Sequence, residues 1–171
     1  GFDETRIGYN RTPEIMYGTT LAAGYGNWDL SVLFQGAAHS DVMLNNEAVY
    51  EFFQSGKVKP FHLGRWTPET AATATYPRLH SNTHGNNHRA SSFWIRSADY
   101  LRLKNAEIGY TLPKRWIAPL SLSYFRIYFN GMNLYTWDKL DDYQVDPEIG
   151  DGNGAMYPIQ RIWNFGIDVK F

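Results

Sequence analysis

Apolar and polar residues alternate with a period of two in several separate stretches of the chain. In YGTTLAAGY, Tyr17, Thr19, Leu21, Ala23 and Tyr25 share one face, opposite Gly18, Thr20, Ala22 and Gly24. Side chains of an extended backbone point alternately to its two faces, so this spacing predicts a strand. NWDLSVLFQG continues the pattern, with Trp28, Leu30, Val32 and Phe34 on one side and Asp29, Ser31 and Gln35 opposite, Leu33 being the exception. Gly26 and Asn27 predict a tight hairpin between the two strands.

Alternation then stops. From Ala38 to about Ser92 the chain is rich in His, Asn, Thr, Pro and Gly. Within this excursion LNNEAVYEFFQSG spaces Leu44, Ala48, Val49, Phe52 and Phe53 as one face of a short helix, capped by Asn45 and stopped at Gly56. Order returns in FWIRSADYLRLKNAEIGYTLP. There Leu101 and Leu103 have one parity and Ala106, Ile108, Tyr110 and Leu112 the other, which predicts a β-bulge or a break near Lys104 and Asn105. After a link over 113–119, SYFRIYFNGMNLYTW places Phe125, Ile127 and Phe129 opposite Arg126 and Asn130. The last strand, RIWNFGIDVKF, puts Trp163, Phe165, Ile167, Val169 and Phe171 on one face and Asn164, Gly166, Asp168 and Lys170 on the other. Five strands are thus expected near 15–25, 27–37, 94–112, 122–136 and 161–171, with long loops over 38–92 and 138–160.

Composition narrows the possible surroundings of these strands. A formal net charge of -1 without a basic block excludes the concentrated positive surface that nucleic acid requires. The chain has no cysteine, hence neither a disulfide nor a thiolate nucleophile, and no run approaches the roughly 18 apolar residues of a membrane-spanning helix. Aromatic residues are unusually abundant, at 16%. Two all-β architectures fit: a soluble sandwich, or the wall of a transmembrane barrel with loops alternately short and long. From Trp163 to Phe171, eight steps of about 3.4 Å tilted by about 40° span roughly 21 Å, close to the apolar band of an outer membrane. A terminal strand ending on an in-phase aromatic favours the barrel. Five strands fall short of the roughly eight needed for closure, so a barrel requires a longer polypeptide.

The ordered set RTPEIMYG, GNWDLSVLFQGAAHSDV, RWTPE, YPRL, FWIRSADYLRLKNAEIGYTLP, FRIYFNGMNLYTW, DPE and the terminal RIWNFGIDVKF resembles the carboxyl-terminal part of SusC/RagA-like TonB-dependent outer-membrane transporters, from about Ile7 to Phe171. Tyr9 and Asn10, and Met132 before the Asn-Leu pair, depart slightly from the family wording. The resemblance implies the last five strands of an antiparallel barrel of about 22 strands in the outer membrane of a Gram-negative bacterium. It implies a plug domain and TonB contact upstream of these residues, and a SusD-like surface lipoprotein over the extracellular mouth. The substrate would be an oligosaccharide, glycan or peptide, moved without bond breaking. Gly26–Asn27 and 113–119 become periplasmic turns; 38–92 and 138–160 become extracellular loops. Phe165, Ile167, Val169 and Phe171 would serve barrel closure and assembly. A passive porin-like barrel and a soluble carbohydrate-binding β-sandwich are the competing functions.

Candidate sites lie in the loops. His80, His84 and His88 are spaced four apart, as metal ligands on a helix are, but Gly85 and the surrounding Asn and Ser residues oppose a helix and no carboxylate is interleaved. They therefore read as a polar surface loop rather than a metal site, and with Trp66, Tyr76 and Arg78 they complete six candidates for substrate or lid contact. Trp66, Tyr76 and Arg78 are candidates for stacking on a sugar or hydrogen-bonding a peptide. Because the family repeats RWTPE and YPRL across differing substrates, a loop-building role is the plainer reading of these words. Asp141, Asp142, Asp146 and Glu148 lack the spacing of a calcium loop. Arg102, Lys104, Glu107 and Arg126 are expected to face the lumen, and Trp28, Phe34, Phe125, Phe129 and Phe165 the lipid. No catalytic arrangement and no cofactor site is expected.

Overall fold

The computed structural model describes residues 5–148 and 152–171; positions 149–151 of the loop expected over 138–160 lie outside the described residues. Among the described residues seven strands form: β1 (Ile15–Tyr25), β2 (Trp28–Ala38), β3 (Asp41–Met43), β4 (Ile95–Ser97), β5 (Tyr100–Thr111), β6 (Tyr124–Trp137) and β7 (Ile162–Lys170). They divide between two compact units.

The first unit is a five-stranded sheet in the order β1-β2-β5-β6-β7, built from 16–36, 100–137 and 159–171. Gly26, at φ 59°, makes the two-residue turn between β1 and β2, a conformation glycine adopts without the strain of a Cβ. One helical turn, α1 (Lys114–Ile117), links β5 to β6. The antiparallel register of β6 with β7 sorts side chains by chemistry. Phe125 faces Val169, Ile127 faces Ile167, Phe129 faces Phe165 and Gly131 faces Trp163; the intervening pairs include Arg126 with Asp168 and Asn130 with Asn164. One face is therefore apolar and the other polar. Phe129 and Trp163 stack at 5.4 Å on the apolar face.

Arg126 organises the polar face. It donates through Nε to Asp29 at 3.1 Å and through Nη2 to Glu107 at 2.7 Å, while Asn130 donates to Glu107 at 3.2 Å and Asn164 to Asn130 at 2.9 Å. Three adjacent strands and β2 are thereby linked side chain to side chain. Arg102 is buried on β5 and donates to Thr136 at 2.8 Å.

The expected irregularity near Lys104 is present, with its extra residue on the neighbouring strand. Leu103 pairs with Tyr135 and Asn105 with Met132, so Lys104 alone opposes Asn133 and Leu134. Asn133 takes the left-handed conformation, at φ 53°. The stretch expected as one strand over 94–112 is divided: Ile95–Ser97 pairs with Asp41–Met43, and the Asp99 N–H turns back to Ser97 Oγ at 3.2 Å before β5 begins.

Close packing at Gly36 yields a test. A Cβ there would collide with the Tyr100 carbonyl and the Tyr17 ring, whose hydroxyl donates to that same carbonyl at 2.8 Å. Gly36→Ala must push β2 from β5 or expel Tyr17, and is expected to destabilise the sheet by about 1–3 kcal/mol, read from denaturant midpoints of the folded full-length protein.

The second unit gathers the described residues of 5–15, 37–99 and 138–158. Its core is Val42, Leu44, Ala48, Val49, Tyr76, Trp94, Ala98, Leu140 and Val145. No helix forms over the LNNEAVYEFFQSG stretch. Short 3-10 turns occur at Asn46–Ala48 and Phe53–Ser55, and Asn46, Phe52, Gln54 and Ser55 have positive φ. The carbonyls a helix would need are otherwise engaged: Ala48 accepts from Lys59 Nζ at 2.9 Å, and Val49 accepts from His62 Nε2 at 3.1 Å. Tertiary hydrogen bonds outcompete the local ladder here.

Candidate functional site

The excursion closes on one buried carboxylate. Glu51 is 1% exposed in the midst of an apolar run. Its Oε2 accepts from the Tyr76 hydroxyl at 2.7 Å and from His88 Nε2 at 2.9 Å, and its Oε1 accepts from the His80 N–H at 2.8 Å. The histidine tautomers follow from their other bonds. His88 Nδ1 accepts the His84 N–H at 2.9 Å, so the ring proton sits on Nε2 and points at Glu51. His62 Nδ1 accepts the Lys59 N–H at 2.8 Å, so its Nε2–H serves the Val49 carbonyl and leaves the Tyr76 proton for Glu51. Three donors from the stretch 76–88 thus converge on the carboxylate.

Burial opposes ionisation of Glu51, but the hydrogen bonds from Tyr76, His80 and His88 outweigh it and hold the carboxyl below its ordinary value of 4.5. Burial, and then Glu51 itself, pushes the Tyr76 hydroxyl far up, and burial depresses His62 below 6.5. Both depressed groups stabilise the folded unit above their ordinary values and lose that contribution as pH falls through the folded ones. Hydrogen-exchange protection factors for the His80 and Arg65 amides are therefore expected to hold steady above pH 7. They should fall in two stages, below 6.5 as His62 charges and again below 4.5 as Glu51 protonates.

Above this node lies a cleft of about 500 Å³ lined by Trp66, Tyr76, Arg78, His80, Asn87 and Phe93, among others. Four of the six residues marked from sequence line it together: Trp66, Tyr76, Arg78 and His80. Their exposures separate two jobs. Tyr76 is 5% exposed and builds the floor, whereas Trp66 is 39% exposed and open to solvent. His84 stacks on His80 at 4.2 Å. His88 is 8% exposed and bonds Glu51, so it is a core residue rather than part of a polar surface loop. Among the described residues no three His, Asp or Glu side chains are grouped to hold a metal, and the Nδ1 atoms of His84 and His88 each accept a backbone N–H. The acidic loop is similarly occupied: Asp138 accepts the Leu140 N–H at 2.6 Å and Asp146 the Glu148 N–H at 2.9 Å.

Glu51, His62, Asn87 and Phe93 escaped the sequence reading. A single charge inside AVYEFF was the available signal for Glu51, since a lone carboxylate in an apolar run either lies on an exposed helix face or is buried with donors.

An antiparallel sheet with one apolar and one polar face, interrupted by a large folded excursion, matches a wall fragment of a TonB-dependent transporter barrel. No family model matches the chain. It is 27% identical over 173 residues to TonB-dependent receptor P26 of Formosa agariphila, and 26% identical over 176 residues to TonB-dependent receptor P3 of the same organism. These alignments cover 93% and 94% of this chain and 17% and 16% of those proteins. Among solved structures, the RagAB peptide importer in its open-open state matches with a TM-score of 0.76 and 26% identity, covering 98% of this chain and 18% of that one. A structure of the RagAB peptide transporter matches with a TM-score of 0.77 and 25% identity over the same shares. The resemblance to SusC/RagA-like TonB-dependent transporters is borne out over nearly the whole chain, which spans less than a fifth of these relatives.

Proposed function

We propose that the chain is the carboxyl-terminal wall of a transporter that imports an oligosaccharide, glycan or peptide nutrient across the outer membrane of a Gram-negative bacterium. The observation that carries this reading is the β6–β7 register, which segregates Phe125, Ile127, Phe129, Phe165, Ile167 and Val169 from Arg126, Asn130, Asn164 and Asp168. The first set meets lipid and the second a hydrated lumen. Residues 38–92 and 138–160 lie outside the cell, and the turns at 26–27 and 113–119 face the periplasm. Phe165, Ile167, Val169 and Phe171 form the closing stave that pairs with the first strand of the barrel. TonB acts through a plug upstream of these residues, and a SusD-like surface lipoprotein covers the mouth. Capture and gated passage need no catalytic residue and no cofactor.

Uptake assays with labelled oligosaccharides and peptides test this reading in cells with and without the full-length protein, and with TonB inactivated. Uptake that requires both supports it. Uptake that persists without TonB favours a passive porin-like barrel instead, and a full-length protein found in the soluble fraction overturns the membrane assignment.

A further inference from the structure

We propose that a second cleft of the excursion, between 52–56 and 81–83, binds an uncharged sugar ring of an oligosaccharide, Phe52 stacking on the ring while side-chain amides and hydroxyls bond its hydroxyls. This rests on the transport reading above and narrows its substrate class.

Burial along VYEFF runs against the chemistry of its residues. Glu51 is 1% exposed, whereas the adjacent Phe52 is 41% exposed. The fold has taken the charge inside and left the ring outside. Phe52 sits at φ 51°, a left-handed conformation that is rare for a bulky residue, and Gln54 and Ser55 share it. The Ser55 N–H donates to the Phe52 carbonyl at 3.1 Å and the Gly56 N–H to the Phe53 carbonyl at 2.8 Å, which holds the turn. Phe53 meets Tyr50 edge-on at 6.1 Å, but Phe52 has no ring partner among the described residues. Residues kept in such conformations cluster at ligand sites, and an unpartnered ring beside a concavity is apolar surface open to a ligand.

The lining sets the class of ligand. Gln54, Ser55, Ser81, Asn82 and Thr83 line the cleft with the two phenylalanines, and no lining side chain carries a charge. A uronate, a sulfated sugar or a free peptide end would lose water there without gaining a counter-charge. Side-chain amides and hydroxyls supply both donors and acceptors, as sugar hydroxyls do. Among the described residues these five side chains make no hydrogen bond to the protein, so their groups are open to a ligand. A pyranose carries its hydroxyls at the edge and C–H bonds on its face, and that face suits a phenyl ring. The volume, about 520 Å³, lies within the range of small-ligand sites. None of the lining belongs to RWTPE or YPRL, the words the family repeats across differing substrates, so this cleft can vary with the substrate where the Trp66 cleft does not.

Both walls are tied to the buried carboxylate before any ligand arrives. Glu51 immediately precedes one wall and His80 the other, and the His80 N–H donates to Glu51 Oε1 at 2.8 Å. At the far end of the second wall the His84 N–H donates to His88 Nδ1 at 2.9 Å, and His88 Nε2 in turn donates to Glu51 at 2.9 Å. Ser81, Asn82 and Thr83 are thus suspended between two anchored residues. A preset cleft loses little conformational entropy on binding, which is the condition for a weakly stacking ring and a few neutral hydrogen bonds to hold a sugar. Glu51 is accordingly a positioning residue for the cleft and touches no ligand.

The test is calorimetric titration of the full-length transporter in detergent at pH 7, with its fold checked by heat-modifiable gel migration. The neutral probes are hexamers of α-1,4-glucose, β-1,4-glucose, β-1,4-mannose, β-1,4-xylose and β-1,4-galactose; the contrasting probes are a galacturonic acid hexamer and the tripeptide Ala-Ala-Phe. At least one neutral hexamer is expected to bind and to slow hydrogen exchange across 81–83. Phe52→Ala should weaken that binding about tenfold, the scale of one stacked ring. No binding by any neutral hexamer, undiminished binding in Phe52→Ala, or binding of the uronate or the tripeptide that Phe52→Ala weakens each overturns the proposal. Should Phe52→Ala fail to fold, Asn82→Ala and the exchange at 81–83 in the unaltered protein decide in its place: unchanged affinity with unchanged exchange overturns the cleft. TonB-dependent uptake alongside any of these failures sinks the cleft assignment and leaves the transport reading standing. Uptake that persists without TonB sinks the transport reading and leaves hexamer binding at Phe52 as measured.

Discussion

Ile167→Arg is expected to cost the folded transporter roughly 2–4 kcal/mol, the penalty for a cationic side chain on the lipid face near the middle of a barrel strand. Ile167 pairs with Ile127 on the apolar face, flanked along β7 by Phe165 and Val169, and is 52% exposed in this chain. On the proposed barrel reading that exposed area meets hydrocarbon, where a guanidinium has neither water nor a carboxylate. The neighbouring residue supplies the control. Asp168 lies on the polar face, 3.7 Å from Arg126 Nη1 and half-exposed, and Arg126 keeps Asp29 and Glu107 when Asp168 is lost. Asp168→Asn is therefore expected to cost less than about 1 kcal/mol. Denaturant-driven folding of the full-length protein into lipid vesicles measures both. Equal costs would contradict the face assignment, because a sheet with water on both sides treats the two positions alike.

The second large effect is expected at Glu51→Leu. Leucine fills the volume but removes the acceptor of three donors. Tyr76 can still turn to the Val49 carbonyl, 2.7 Å away, so its loss is small. Among the described residues the His88 Nε2–H and the His80 N–H have no such second acceptor in their present places. A buried donor left unpaired costs about 1–3 kcal/mol, so roughly 2–6 kcal/mol is lost from the unit. The expected result is a fall of more than tenfold in hydrogen-exchange protection of the His80 amide, with faster proteolysis across 77–92. The sheet, whose bonds do not involve Glu51, should retain its own protection. Undiminished protection at His80 would show that the carboxylate is dispensable to the loop fold.

Glu51 also shows where sequence reasoning stops. Its neighbours Ala48, Val49, Phe52 and Phe53 have helical spacing, and a helix is what local preference supports. The carbonyls of Ala48 and Val49 are instead taken by Lys59 and His62, partners 11 and 13 residues away that no window of a few residues can see. The same holds for the bulge. Parity in the sequence located the slip near Lys104, but the extra residue lies at Asn133 and Leu134, because register belongs to a pair of strands and not to one. Of the histidines, spacing alone argued weakly for a metal and composition for a surface loop; position in the fold made His88 a core hydrogen-bond donor.

By itself, then, the sequence determined the five strands of the sheet and their faces but not the short β3–β4 pair, because alternation in an extended chain is a local property fixed by side-chain geometry. It placed Arg126 and Asp168 on one side and Ile127 and Ile167 on the other before any pairing was known. Its ordered motifs also carried the likeness to SusC/RagA-like transporters. Only the tertiary structure decided how the long excursion folds, which of Trp66, Tyr76 and Arg78 builds and which is left open, and that a single buried carboxylate fixes the walls of one cleft. Those outcomes depend on hydrogen bonds between segments far apart in the chain, and desolvation makes each such bond count only once its partner has been brought to it.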